Sequence, residues 1–264
     1  MSELEVAVDD GIAEVRLNRP ERKNALSLEL FEALAAAGEQ LKGEAGLRVV
    51  ILTGAGGDFC AGLDMAVMQS LAGRIDEMRQ RLLTLTEGEV ANWFQKPCYV
   101  WQELPVPVIA AIEGVCLGGG LQLALAADFR IARADARLAI MEAKWGIIPD
   151  MGITQNLPKL MPADKAKVLM MTARIVSGQE AAELGLMTRL ADDPMTAARD
   201  LAGELKRRSP EAVSGIKRLV EETWAMPPAD GLRVEAEIQA PIIGGANQIE
   251  AVMANFQKRA PKFR

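Results

Sequence analysis

The chain of 264 residues contains no histidine. That absence excludes a Ser-His-Asp or Cys-His triad and any histidine-ligated metal site, and no metal is expected. Proton chemistry near neutral pH then falls to carboxylates, lysine, cysteine or the single tyrosine, Tyr99. Cysteine is scarce as well. Cys60, Cys98 and Cys116 form an odd set in apolar or mixed surroundings and read as free thiols in a reducing compartment. No apolar run approaches the length of a membrane span. The acidic start, Met1-Ser2-Glu3-Leu4-Glu5, is unlike a secretory leader, so a cytoplasmic location is expected. A formal net charge of −6 argues against a nucleic-acid-binding surface, and an anionic ligand would need a local basic patch.

What is present centres on Glu113 to Asp128. An apolar run, Val106 to Ile112, reads as a buried strand; three consecutive glycines, Gly118 to Gly120, follow; Leu121 to Ala127 has helix composition. Glycine lets a backbone approach a ligand closely. The free N–H groups of a helix start favour negative charge, so the turn can hold a phosphate or an oxyanion that develops during reaction. It is equally compatible with a close strand–helix crossing where no side chain fits.

Around this stretch the pattern is α/β. Leu4 to Val8 and Ile12 to Leu17 flank Asp9-Asp10-Gly11 as a hairpin. Ser27 caps a helix with apolar positions Leu30, Phe31, Leu34 and Leu41, ended by Gly43 and Gly46. Arg48 to Thr53 is a buried strand, residues 64–104 hold two or three helices, and Phe129 to Ala132 and Leu138 to Met141 are short strands. Glu142 to Pro158 reads as a loop, Pro162 to Thr172 as a helix, Ser177 to Gly185 as a short capped helix, and Leu186 to Leu190 as a strand. From Pro194 onward the pattern is helical, with breaks at Pro227-Pro228 and Gly244-Gly245. Leu219, Val220, Trp224, Ile238, Ile242 and Ile243 are apolar positions that one core leaves uncovered.

A second glycine turn, Gly54-Ala-Gly-Gly-Asp-Phe-Cys-Ala-Gly-Leu-Asp64, follows the 48–53 strand. It is no dinucleotide fingerprint, because Gly54, Gly56 and Gly57 miss the G-x-G-x-x-G spacing and Asp58 to Gly62 intervene before any helix. With Asn18-Arg-Pro and Lys23-Asn-Ala-Leu26 before it, Pro105 to Gly114 and Leu117-Gly-Gly-Gly-Leu121 after it, and Ala182-Glu-Leu-Gly-Leu-Met187 later, it resembles the crotonase, or enoyl-CoA hydratase/isomerase, superfamily over nearly the whole chain.

The resemblance implies an α/β fold built as a crotonase-like spiral of β-β-α units. It implies an acyl-CoA-binding core over residues 1–193 and a helical C-terminal trimerisation region over 194–264, in a homotrimer or hexamer. The ligand is a coenzyme A thioester acting as substrate, with no cofactor. By the same resemblance the backbone N–H groups of Leu63 and Gly119 hold the thioester oxygen. Arg22 and Lys23 meet the phosphates and ribose of coenzyme A, and the carbonyls of Ala25 and Ala61 meet the adenine. Phe263 closes over the adenine end of a neighbouring subunit's ligand. An ordinary solvated loop is the competing account of Arg22 and Lys23.

Hydratases of the family carry one glutamate two residues after the glycine run and a second twenty residues later. Here those positions hold Gln122 and Glu142. Gln122 exchanges no proton but can orient substrate or water. Asp150, eight residues beyond Glu142, makes the segment resemble dienoyl-CoA isomerases more than hydratases. Local accounts compete: Glu142 as a surface acid paired with Lys144, and Asp150 as a turn acid after Pro149. The leading expectation is an isomerase-type enzyme with Glu142 as base and Asp150 as second acid. A hydratase or other acyl-CoA lyase or hydrolase comes next, then an acyl-CoA-binding protein without turnover.

Overall fold

The computed structural model describes residues 2–71 and 73–264. β1 (Leu4–Asp9) and β2 (Ile12–Leu17) pair antiparallel across the two-residue turn Asp10-Gly11. The Ser27 hydroxyl accepts the Leu30 N–H to cap α1 (Leu28–Lys42), and Gly43 ends it. β3 (Val49–Gly54) then runs parallel to β2. The stretch to residue 104 holds three helices: α2 (Met65–Leu71), α3 (Ile75–Leu83) and α4 (Lys96–Gln102).

From Val108 to Ala139 successive strands alternate between two sheets. β4 (Val108–Ile112) joins the large sheet, β5 (Val115–Leu117) enters the small one, and α5 (Gly119–Leu125) follows. β6 (Phe129–Ala132) and β7 (Arg137–Ala139) repeat that step. A parallel bridge between Cys60 and Cys116 gives the β3 segment the same path. These are turns of one β-β-α spiral. α6 (Leu157–Leu160), α7 (Ala163–Thr172), β8 (Val176–Ser177), α8 (Gly178–Glu183) and β9 (Arg189–Leu190) complete it. The large sheet has the order β1-β2-β3-β4-β6-β9 and the small sheet β5-β7-β8.

β3 and β4 are apolar at consecutive positions because both faces are covered, as parallel strands require. Val50, Leu52, Val108, Ala110 and Ile112 face the main core, while Val49, Ile51, Ile109 and Ala111 face a second cluster. That second cluster is closed by Ala198 and Ala202 of α9 (Pro194–Lys206), small residues one turn apart that let the helix lie close to the sheet. The first helix of the C-terminal third therefore packs on this chain's own sheet. α10 (Pro210–Thr223), α11 (Pro228–Gln239) and α12 (Ala246–Phe256) follow. Buried Lys217 staples α10 to the body: its ammonium pairs with Asp128 at 2.9 Å and donates to the Val106 carbonyl at 3.0 Å. Ile238, expected to be uncovered, is buried within the chain, whereas Trp224 and Ile243 are each 67% exposed.

Several boundaries differ from expectation for physical reasons. β4 starts at Val108, after Pro105 and Pro107, which supply no N–H. β5 is three residues between Gly114 and Gly118, too short for a periodic signal. The strand expected over 186–190 shrinks to Arg189–Leu190, and the 142–158 loop contains single helical turns at Glu142–Trp145 and Ile153–Gln155 before α6. α5 begins at Gly119, inside the glycine run. Among the described residues no helix is long and apolar enough to cross a membrane.

Candidate active site

The two glycine turns abut. Cys60 N–H donates to the Val115 carbonyl at 3.0 Å and Leu117 N–H to the Cys60 carbonyl at 2.9 Å, which lays the 60–63 turn along β5. Gly62 has φ +89°, and a Cβ there would lie 2.8 Å from the Leu117 carbonyl oxygen and 3.7 Å from the Gly119 nitrogen. Gly120 serves close approach alone: a Cβ would fall 2.5 Å from the Cys60 carbonyl oxygen. The close strand–helix crossing expected of the glycine run is thus found at Gly120. Leu26 N–H bonds Gly62 and Asp64 N–H bonds Leu26, so the intervening Leu63 N–H is turned away from that strand. Gly119 N–H opens α5 without an intrahelical acceptor. Among the described residues neither N–H has a protein partner.

Both groups border an apolar cleft of about 680 Å³. Of the proton-exchanging residue types left by the absence of histidine, no lysine, cysteine or tyrosine lines it among the described residues, but Asp64, Glu142 and Asp150 do. Asp64 is committed elsewhere: the Ala66 N–H and the Arg19 guanidinium, 3.0 Å away, hold its carboxyl below the usual range. The cysteines are fully buried, and burial pushes the Cys60 thiol up to about 12, so it stays neutral.

Glu142 is not a surface acid paired with Lys144. It is 6% exposed, and its Oε1 accepts the Gln122 Nε2 donor at 2.6 Å. Its Oε2 is buried with no hydrogen-bond partner among the described residues. Burial raises its carboxyl above the usual range, against the pull of its own backbone N–H and of Gln122; the charge of Asp150 adds to the rise. Burial raises Asp150 too. Gln122, on α5, is 1% exposed, and its Oε1 accepts the Met151 N–H at 2.9 Å. Glu142, Asp150, Gln122, Leu63 and Gly119 therefore share one site, although they come from four separate segments.

Arg22, Ala25 and Ala61 border the same cleft. Ala61 N–H donates to the Lys23 carbonyl at 2.9 Å, and the Ala25 carbonyl accepts the Arg19 guanidinium. Lys23 itself is exposed and pairs with Asp58 at 3.1 Å. Phe263 is not brought to this cleft. It lies 5.9 Å from the Arg48 guanidinium and lines a separate cavity of about 900 Å³ beside α10 and α12. Sequence reasoning missed the Arg19–Asp64 pair, the Met151 N–H and an aromatic wall in which Trp93 stacks on Phe31 at 5.4 Å and meets Phe94 edge-on at 4.9 Å.

The model of the enoyl-CoA hydratase/isomerase family matches residues 7–264. Mouse mitochondrial methylglutaconyl-CoA hydratase is 33% identical over 261 residues, covering 96% of this chain and 80% of the mouse protein. The crystal structure of an enoyl-CoA hydratase from Bacillus anthracis is 34% identical, superimposes with a TM-score of 0.89, and covers 99% of this chain and 98% of its own. An enoyl-CoA hydratase from Mycobacterium tuberculosis H37Rv is 32% identical with a TM-score of 0.86, covering 100% of this chain and 99% of its own.

Proposed function

The chain belongs to the enoyl-CoA hydratase/isomerase family, and from that footing we propose that it binds an enoyl-coenzyme A thioester in the cleft and shifts a proton along the acyl chain between Glu142 and Asp150. The carrying observation is that these two acids, both raised by burial, share an apolar cleft with two unpaired backbone N–H groups. The thioester oxygen accepts from Leu63 and Gly119. Glu142 removes a proton from carbon; the C–H electron pair passes into the acyl system, and negative charge gathers on that oxygen. One such donor is worth about 3–4 kcal/mol in the transition state. Asp150 delivers or receives the proton at the more distant carbon. A general base in this role contributes about 10²–10⁴ in rate. Arg22 and Lys23 meet the phosphates, and the Ala25 and Ala61 carbonyls meet the adenine. A neighbouring copy supplies Phe263, in a homotrimer or hexamer that covers Trp224 and Ile243.

Hydration is the second reading, favoured by the hydratase names of the relatives. The first is preferred because the α5 neighbour of Glu142 is an amide, Gln122, which exchanges no proton with a shared water. Incubation with crotonyl-CoA and a 3-enoyl-CoA in deuterated water separates them. Double-bond migration with deuterium gain and no added water supports the proton shift; a water adduct supports hydration. Tight acyl-CoA binding with neither would mark a non-catalytic binding protein and overturn both.

A further inference from the structure

Gln122 is held at both ends by the protein. Its Nε2 donates to Glu142 Oε1 at 2.6 Å, and its Oε1 accepts the Met151 N–H at 2.9 Å. A flipped amide would set oxygen against carboxylate and N–H against N–H, so the network allows one orientation. Oε1 of Glu142 is therefore permanently occupied by a donor, while Oε2 is buried and unpartnered. Building on Glu142 as the base, we propose that Gln122 is a positioning residue that fixes which oxygen of Glu142 carries the proton. It does not handle substrate or water itself.

The proton leaves carbon and forms its O–H bond on Oε2. The carbon's electron pair goes to the enolate, and Gln122 keeps Oε1 turned from the reaction. A glutamate at 122 would instead face Glu142 across that 2.6 Å contact. Two carboxyls so placed cannot both ionise, and their titrations merge into those of a pair. Gln122 thus keeps Glu142 a single-site carrier. The ionisable groups facing Glu142 are Asp150 in the cleft and the Cys98 thiol, which burial raises and keeps neutral. Arg22, Asp64 and Arg79 border other walls of the cleft.

The test titrates the Glu142 carboxyl by carbon NMR in glutamate-labelled protein, its signal assigned as the one lost in Glu142→Gln. It is paired with the pH dependence of α-hydrogen exchange on butyryl-CoA in deuterated water. In Gln122→Met, loss of a hydrogen bond to the charged carboxylate moves the titration and the acidic limb of exchange up by about 1–2 pH units, with acyl-CoA affinity unchanged. Gln122→Glu keeps the size and an acceptor for Met151, so it covers the case in which Gln122→Met does not fold; it moves the limb up further and splits the titration into two steps. An unchanged Glu142 titration in whichever of these folds overturns the positioning role. If Glu142→Gln exchanges like wild type, the base reading fails and this one with it. If Glu142→Gln is inert while the Gln122 variants keep the wild-type limb, the positioning role alone fails.

Discussion

Glu142→Gln separates chemistry from structure because the substitution barely changes shape. The new amide oxygen can still accept the Gln122 donor that Oε1 accepts now at 2.6 Å, and the proposed oxyanion donors are backbone groups on other segments. Acyl-CoA binding should therefore survive. Turnover should fall by the whole contribution of a general base, about 10²–10⁴, or about 3–5 kcal/mol at 1.36 kcal/mol per decade. Stability should move the other way. The folded state raises the Glu142 carboxyl above its unfolded value. Its contribution is then fully present below the unfolded value of 4.5 and lost as pH rises through the folded one. Above that, the fold carries an ionised carboxylate in an apolar cleft. Replacing it with a neutral amide should raise the melting temperature at pH 8, and the gain should shrink towards pH 4; the amide's unpaired N–H limits its size. Rates with crotonyl-CoA and melting curves at the two pH values suffice. Wild-type turnover would refute the carboxylate assignment, and a variant less stable than wild type at pH 8 but not at pH 4 would refute the burial reasoning.

Gly120→Ala drives a Cβ to 2.5 Å from the Cys60 carbonyl oxygen, so overpacking should cost about 1–3 kcal/mol in urea unfolding and lower turnover by shifting the proposed oxyanion donor of adjacent Gly119. Lys217→Met removes the cation beside half-buried Asp128, which keeps the Val108 N–H, and should destabilise by about 1–3 kcal/mol, seen as a lower urea midpoint with acyl-CoA affinity retained in the folded fraction. Trp93→Ala removes the middle of the aromatic wall; kcat/KM for octenoyl-CoA should drop more than for crotonyl-CoA, by about tenfold or more. Equal losses on both substrates would show that Trp93 does not contact the acyl chain.

The hairpin, the Ser27 cap, the buried strands and both glycine turns were legible because each depends on neighbouring residues: a turn pair, a capping oxygen, a run of apolar positions. Leu63, Gly119, Gln122, Glu142 and Asp150 were legible as a set only through spacing shared with a family. Nothing local to Glu142-Ala-Lys144 distinguishes a buried acid from a surface acid. That difference is made by Gln122 and Asp150 and by the apolar cleft around them. The Arg19–Asp64 pair spans 45 residues, and the Met151 N–H meets Gln122 across 29; neither leaves a periodic trace. The two halves of β3 and β4 read as one apolar run, and only α9 reveals that they serve two cores. Phe263 lies apart from the cleft, beside Arg48 and the cavity along α10 and α12, and nothing in its own neighbourhood of the sequence signals that placement.

The proposed chemistry needs a thioester oxygen between two backbone N–H groups, with Glu142 beside the carbon that loses its proton. A crystal structure with a bound, non-reacting acyl-CoA ether-ketone analogue measures this directly. The analogue's carbonyl oxygen should lie about 3 Å from both the Leu63 and Gly119 nitrogens, with Glu142 Oε2, not Oε1, facing the adjacent carbon. A carbonyl oxygen bound away from both nitrogens, or an adjacent carbon facing Asp64 in place of Glu142, would contradict it.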